Sequence, residues 1–141
     1  MTSENKLNSE DPRADAFVRS YVQTALWSSN DESTADGGYP LEENYDIDDL
    51  SEKAFESCVA DCARFQREAA EALSTFNCKC ASGTTLDEQV AHDFWLTRNG
   101  HGAGFWDGDY SEPEASKLTE LSKDFGEVNI YVGDDGKLYT C

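Results

Sequence analysis

Apolar positions in the N-terminal part of the chain recur at helical spacing. Phe17, Val18, Tyr21, Val22, Ala25 and Leu26 fall three and four apart, which places them on one face of an α-helix. Asp11-Pro12 offers a cap and a first-turn proline, so the pattern predicts a helix over about 12–27. Polar residues and Gly37-Gly38 and Pro40 then interrupt it over 28–45, a connecting loop whose acidic character extends to 47 and which Trp27, Tyr39 and Tyr45 are placed to order. A second helical period runs over about 48–76 through Phe55, Cys58, Cys62, Phe65, Ala69, Leu73 and Phe76. A short helical turn follows near 86–91. The aromatic run Asp93-Phe-Trp-Leu-Thr-Arg98, the turn residues Asn99-Gly-His-Gly102 and the run Ala103-Gly-Phe-Trp-Asp107 then read as a β-hairpin. Helical spacing returns over 112–125 at Ala115, Leu118, Leu121 and Phe125, with Gly126 as a stop. Residues 128–132 and 137–139, joined by Gly133-Asp-Asp-Gly136, make a second hairpin. The expected architecture is one α+β domain over 1–141, in the order α-α-β-β-α-β-β: two N-terminal helices and a small antiparallel sheet. Residues 1–10 are expected to be a flexible tail.

Composition narrows the function classes. With 29 acidic against 11 basic residues in 141, the net charge is −18, more than double the magnitude of about 2–8 usual for a small soluble domain. Binding to a nucleic-acid backbone requires basic side chains that displace counterions from phosphates, and an anionic membrane surface makes the same demand. Both partners are excluded on that ground. An aromatic fraction of 11% argues for a folded chain. The N-terminus lacks the apolar core of a signal peptide and no stretch suits a membrane span, so the expected location is cytoplasmic. Cysteines 58, 62, 78, 80 and 141 then read as thiols. Cys58-x-x-x-Cys62 and Cys78-x-Cys80 differ from the paired spacing of zinc ribbons, and Cys58 and Cys62 fit the apolar stripe of the long helix. Neither a metal nor another cofactor is expected.

The acidic residues are unevenly distributed. Residues 20–52 contain no Lys or Arg but nine acids, and 99–116 form a second base-free stretch. Carboxylates held on a folded scaffold at the spacing of helical neighbours approach the repeat of successive phosphates. The candidate contact residues are Asp31, Glu32, Asp36, Glu42, Glu43, Asp46, Asp48, Asp49, Asp107, Asp109, Glu112 and Glu114. The plain alternative is a solvated face that serves solubility.

A catalytic alternative centres on the first expected hairpin, where His92 beside Asp93 suits a general base and Arg98 suits an anion, with His101 nearby. Its substrate would be nucleotide-like or phosphorylated. The rings Phe94, Trp95, Phe105 and Trp106 suggest a base-stacking platform, but such a platform needs a positive groove. On a hairpin about half of these rings enter the core, leaving the others to anchor a protein interface.

The block Ala91-His-Asp-Phe-Trp-Leu-Thr-Arg-Asn-Gly-His-Gly-Ala-Gly-Phe-Trp-Asp107 and the block Gly126-Glu-Val-Asn-Ile-Tyr-Val-Gly-Asp-Asp-Gly-Lys-Leu-Tyr139 resemble a family of small acidic proteins of bacteriophages and mobile elements. The segment from Tyr21 to Asp49, with Ala25-Leu-Trp-Ser-Ser29 and Tyr45-Asp-Ile-Asp-Asp49, resembles that family's N-terminal half. The cysteines and the acidic 107–114 segment depart from its pattern, so zinc binding does not carry over. The resemblance implies a phage origin but no biochemical activity. Small acidic phage proteins that imitate DNA block restriction enzymes, CRISPR effectors and other host DNA-binding machinery. The resulting expectation is a non-enzymatic decoy, monomer or homodimer, that binds a host DNA-binding protein through the twelve acids above. A third reading is an assembly protein whose charge only prevents aggregation.

Overall fold

The computed structural model describes residues 15–31, 39–74, 86–100, 105 and 112–141. Their elements run α1 (Ala16–Ser28), β1 (Asn30–Asp31), β2 (Tyr39–Pro40), α2 (Glu52–Ser74), α3 (Leu86–Arg98), α4 (Glu114–Asp124), β3 (Ile130–Val132) and β4 (Leu138–Thr140). Two 3-10 turns, Leu41–Glu43 and Ile47–Asp49, lie between β2 and α2. This order overturns the expected α-α-β-β-α-β-β. A short two-stranded ladder separates the first two helices, and a third long helix takes the place of residues 93–98, the first arm of the first expected hairpin; its second arm, 103–107, lies outside the described residues apart from Phe105. Among the described residues no helix is long and apolar enough to cross a membrane.

α1 starts later than its sequence pattern suggests. Asp15, in extended backbone, accepts a hydrogen bond from Val18 N at 3.0 Å, satisfying one of the first-turn amides that a helix leaves orphaned. Asp11 and Pro12 lie outside the described residues. α1 ends at Ser28, where the chain turns into β1, which pairs antiparallel with β2 (Asn30 opposite Pro40, Asp31 opposite Tyr39). The connecting segment is anchored by Leu41, fully buried, and by half-buried Tyr45. Trp27 and Tyr39, expected to order it, are instead exposed at 48% and 54%.

α2 follows its predicted stripe. Ala54, Phe55, Cys58, Cys62, Phe65 and Ala69 are buried, while Arg64 and Glu68 pair at 2.9 Å on its exposed side. Its first turn is capped by Ser51 Oγ, which accepts from Ala54 N at 3.1 Å, and Ser51 N donates to Leu138 O at 2.8 Å. The helix start is thus tied to β4. Phe76 lies outside the described residues.

α3 departs furthest from the expected order. Residues 93–98 continue the helix that starts at Leu86, and Val90, Ala91, Asp93, Phe94, Trp95, Leu96, Thr97 and Arg98 are all buried. A helix packed on several sides loses the one-sided period by which a surface helix is recognised, and a short aromatic run then looks like a strand. α1 and α4 both pack on it. Phe65 of α2 stacks on Phe94 with ring centroids 4.1 Å apart, and Phe17, Phe105 and Phe125 surround Phe65. Asn99-Gly100, expected as a hairpin turn, ends the helix instead. Gly100 adopts φ +73° and its N donates to Thr97 O at 3.1 Å, the left-handed stop for which glycine is suited. Asn99 donates through Nδ2 to Trp95 O (3.0 Å) and accepts from Val128 N through Oδ1 (2.9 Å).

α4 buries Ala115, Leu118 and Ser122, and Gly126 follows it at φ +76°, as its position predicts. The last hairpin forms as expected. Tyr131 lies opposite Tyr139, and Asn129 and Cys141 exchange both backbone hydrogen bonds.

Candidate functional site

The acidic candidates occupy turns and helix starts, where carboxylates have local work. Glu42 and Glu43 are exposed on the 3-10 turn Leu41–Glu43. Asp46 caps the next turn, accepting from Asp48 N at 2.9 Å, and Asp49 accepts from Asp46 N at 2.8 Å. This reciprocal box commits one oxygen of each to the backbone. Glu112 similarly accepts from Ser116 N at 3.1 Å, and Glu114 stands in the first turn of α4, where acids favour the helix macrodipole. Asp31 belongs to β1. Glu32, Asp36, Asp107 and Asp109 lie outside the described residues. Glu42 and Asp46 line a cavity of about 290 Å³ with Arg19, Tyr45 and Ile47. Glu114 lines a different one, of about 400 Å³, with Glu68, Glu71 and Lys117.

Arg98 is not available to a substrate. Its Nε donates to Gly126 O (2.8 Å), its Nη1 to Tyr21 Oη and to Asp61 Oδ2 (2.8 Å each), and its Nη2 to Phe125 O (3.1 Å). Four of the five guanidinium donors are therefore spent inside the protein. The guanidinium carbon lies 5.7 Å from the Phe94 ring centre and 5.4 Å from that of Phe125, within cation–π range. Only 4% of the side chain is exposed. Burial pushes the Tyr21 phenol well above its usual range despite the pull of Arg98 in the other direction. The expected anion-binding role of Arg98 is thereby overturned: it joins α3 to α1, α2 and the end of α4. Tyr21 and Asp61 are its partners, and neither carries a sequence signal for that role, because the pairing depends on how three helices cross.

His92 looks out from the opposite part of the helix. It stands six positions before Arg98, which at about 100° per residue turns the two side chains some 120° apart. His92 Nδ1 lies 3.0 Å from Asp93 Oδ1, and Gln89 Nε2 donates to Asp93 Oδ2 at 2.9 Å. Asp93 is only 1% exposed. The Asp93 carboxylate accepts from an Nδ1–H, which fixes the orientation of the imidazole and turns Nε2 away from it. A groove of about 420 Å³ opens here between α1 and α3, lined by His92, Gln89, Glu88, Gln23, Trp27 and Glu42 among others. His101, Gly102 and Gly104 lie outside the described residues.

The rings expected to form a stacking or docking platform are interior. Phe94, Trp95 and Phe105 are at most 3% exposed, and Trp95 Nε1 donates to Ser28 Oγ at 2.8 Å. Trp106 lies outside the described residues. Cys58 and Cys62 are free, buried thiols. Burial, reinforced by Asp61, pushes Cys58 up to about 12, and burial likewise raises Cys62. Such thiols are poor nucleophiles at neutral pH. Cys78 and Cys80 lie outside the described residues, among which no group of three or more His, Cys, Asp and Glu side chains is arranged to hold a metal ion. Comparison of the chain with protein-family models, with curated proteins and with solved structures returns no match.

Proposed function

We propose that this chain is a phage-encoded, non-enzymatic inhibitor that occupies the DNA-binding cleft of a host protein by presenting carboxylates in place of phosphates. The observation that carries the proposal is the base-free run 20–52, whose Glu42, Glu43 and Asp46 are exposed on consecutive turns. At a net charge of −18 the folded state bears self-repulsion, and a cationic partner would relieve it. Encounter with a basic cleft would be electrostatically steered and weakened by salt. The resemblance of the His92 and Gly126 blocks to phage proteins supports a host target in the bacterial cytoplasm.

The test is capture of partners from bacterial lysate at low salt, with and without competing duplex DNA. A basic DNA-binding protein that DNA displaces, and that Glu42→Gln/Glu43→Gln/Glu112→Gln binds more weakly, is the expected result. A bound protein indifferent to both DNA and the triple substitution would overturn the proposal, as would the absence of any saturable partner.

A further inference from the structure

We infer that the groove between α1 and α3 is a receptor for one arginine side chain of the partner protein, an inference that rests on the decoy reading and names what that surface grips. The sign of charge comes first. Glu42 and Glu88 line the groove and no lysine or arginine does so among the described residues, so it favours a cation and disfavours the phosphorylated substrate that the His92–Asp93 pair alone would suggest.

An exposed indole adds to the charge. Trp27 is 48% exposed, a large ring left open beside two carboxylates, and tryptophan is the ring that holds cations best. Its position is set from below. The Trp27 and His92 ring centres lie 5.8 Å apart with planes at 74°, and His92 is held by buried Asp93, which Gln89 also engages. An angled wall built in advance spares the ligand the cost of ordering it.

Guanidinium groups within the chain are already held between a ring and a carboxylate. Arg98 lies against the Phe94 and Phe125 rings and bonds to Asp61. Arg64 stands 4.3 Å over the Phe125 ring centre and pairs with Glu68 at 2.9 Å. Ring plus carboxylate is the shared pattern; Trp27 and Glu42 line the groove together, and among the described residues no lysine or arginine lines it. A planar fork that stacks and donates in several directions suits this lining better than the point charge of lysine.

The experiment is a titration with N-acetyl-arginine amide, following the Trp27 indole and His92 ring signals by NMR, beside the same titration with the citrulline analogue, a neutral near-isostere. The expected result is saturable shifts with arginine alone, and affinity weakened about tenfold by Trp27→Ala or Glu42→Gln. Both positions are exposed, and circular dichroism checks that the variants fold. Equal shifts with citrulline, or none with arginine, would overturn the inference. The captured partner separates the two proposals. If arginine saturates the groove but no partner is displaced by DNA, the groove stands and the decoy falls. If a DNA-displaceable partner binds Trp27→Ala as tightly as the parent chain, the groove falls and the decoy stands.

Discussion

One helix carries two of the groups that the sequence marks out for chemistry, Arg98 and His92, and its two sides treat them in opposite ways. On the Arg98 side the charge is closed in, with Tyr21, Asp61 and two carbonyls consuming four donors. On the His92 side the ring is half-exposed, its backing carboxylate is buried, and a groove of about 420 Å³ stands open in front of it. Residue type alone did not separate a fastener from a contact residue; the number of partners and the access of solvent do. The sharpest way to break this comparison is Arg98→Met. It leaves the Tyr21 hydroxyl, two carbonyls and the 31% exposed Asp61 without this donor, and stranding these acceptors costs about 2–4 kcal/mol, less than for a fully buried charged pair. His92→Ala removes one of the donors to Asp93 and is expected to cost about 1–2 kcal/mol. Urea midpoints at neutral pH measure both, and equal losses would show that the two sides of α3 are not distinct.

The closed side also makes a pH prediction. Cys58, held up to about 12 by burial and then by Asp61, and Cys62, raised by burial and then by Cys58, keep their protons in the folded chain. In the unfolded chain thiols ionise near pH 8.5, roughly. Above that pH the folded state binds more protons than the unfolded one, so stability falls as pH rises. The contribution of Cys58 is complete below the unfolded value and is lost as pH climbs toward its folded value of about 12. The slope approaches about 1.4 kcal/mol per pH unit for each thiol. Urea midpoints between neutral and alkaline pH should decline in the parent chain and decline less in Cys58→Ala/Cys62→Ala. A slope unchanged by the double substitution would mean that these thiols are not sealed in.

Where the two sides could be told apart in advance depended on periodicity. The stripe of α2 and the apolar face of α1 were legible because each helix buries one side, and the last hairpin because Gly133 to Gly136 separate two short strands. α3 was not legible, because burial of eight of its residues erases the period. Its aromatic cluster and Asn99-Gly100 then satisfied the rules for a hairpin. The same dipeptide serves as helix stop and as turn, since both need a left-handed residue. Of the site, the acidic 42–49 run and the His92–Asp93 contact were legible as composition and as neighbours in the chain. Trp27 in the groove and Asp61 on Arg98 were not, because each depends on helix packing. Gly100→Ala tests the reassigned end of α3. A Cβ there meets nothing within 4 Å, so the expected cost of about 1 kcal/mol is conformational. The measurement is again the urea midpoint, and a neutral result would remove the requirement for a left-handed stop.

The smallest expected effect is on the open side, and its sign is informative. Glu42→Gln and Trp27→Ala alter exposed side chains, and substitutions of that kind leave stability within about 0.5 kcal/mol. For Glu42→Gln the direction should be upward at low salt, because removing one charge from a chain of net −18 relieves self-repulsion. Added salt screens that repulsion in the parent chain as well, so the difference in thermal midpoint should shrink as ionic strength rises. A surface kept for binding tolerates a local electrostatic cost that a surface kept for folding would not. If Glu42→Gln instead lowered the midpoint at every salt concentration, Glu42 would be a fastener like Arg98, and the distinction between the two sides of α3 would extend no further than the helix itself.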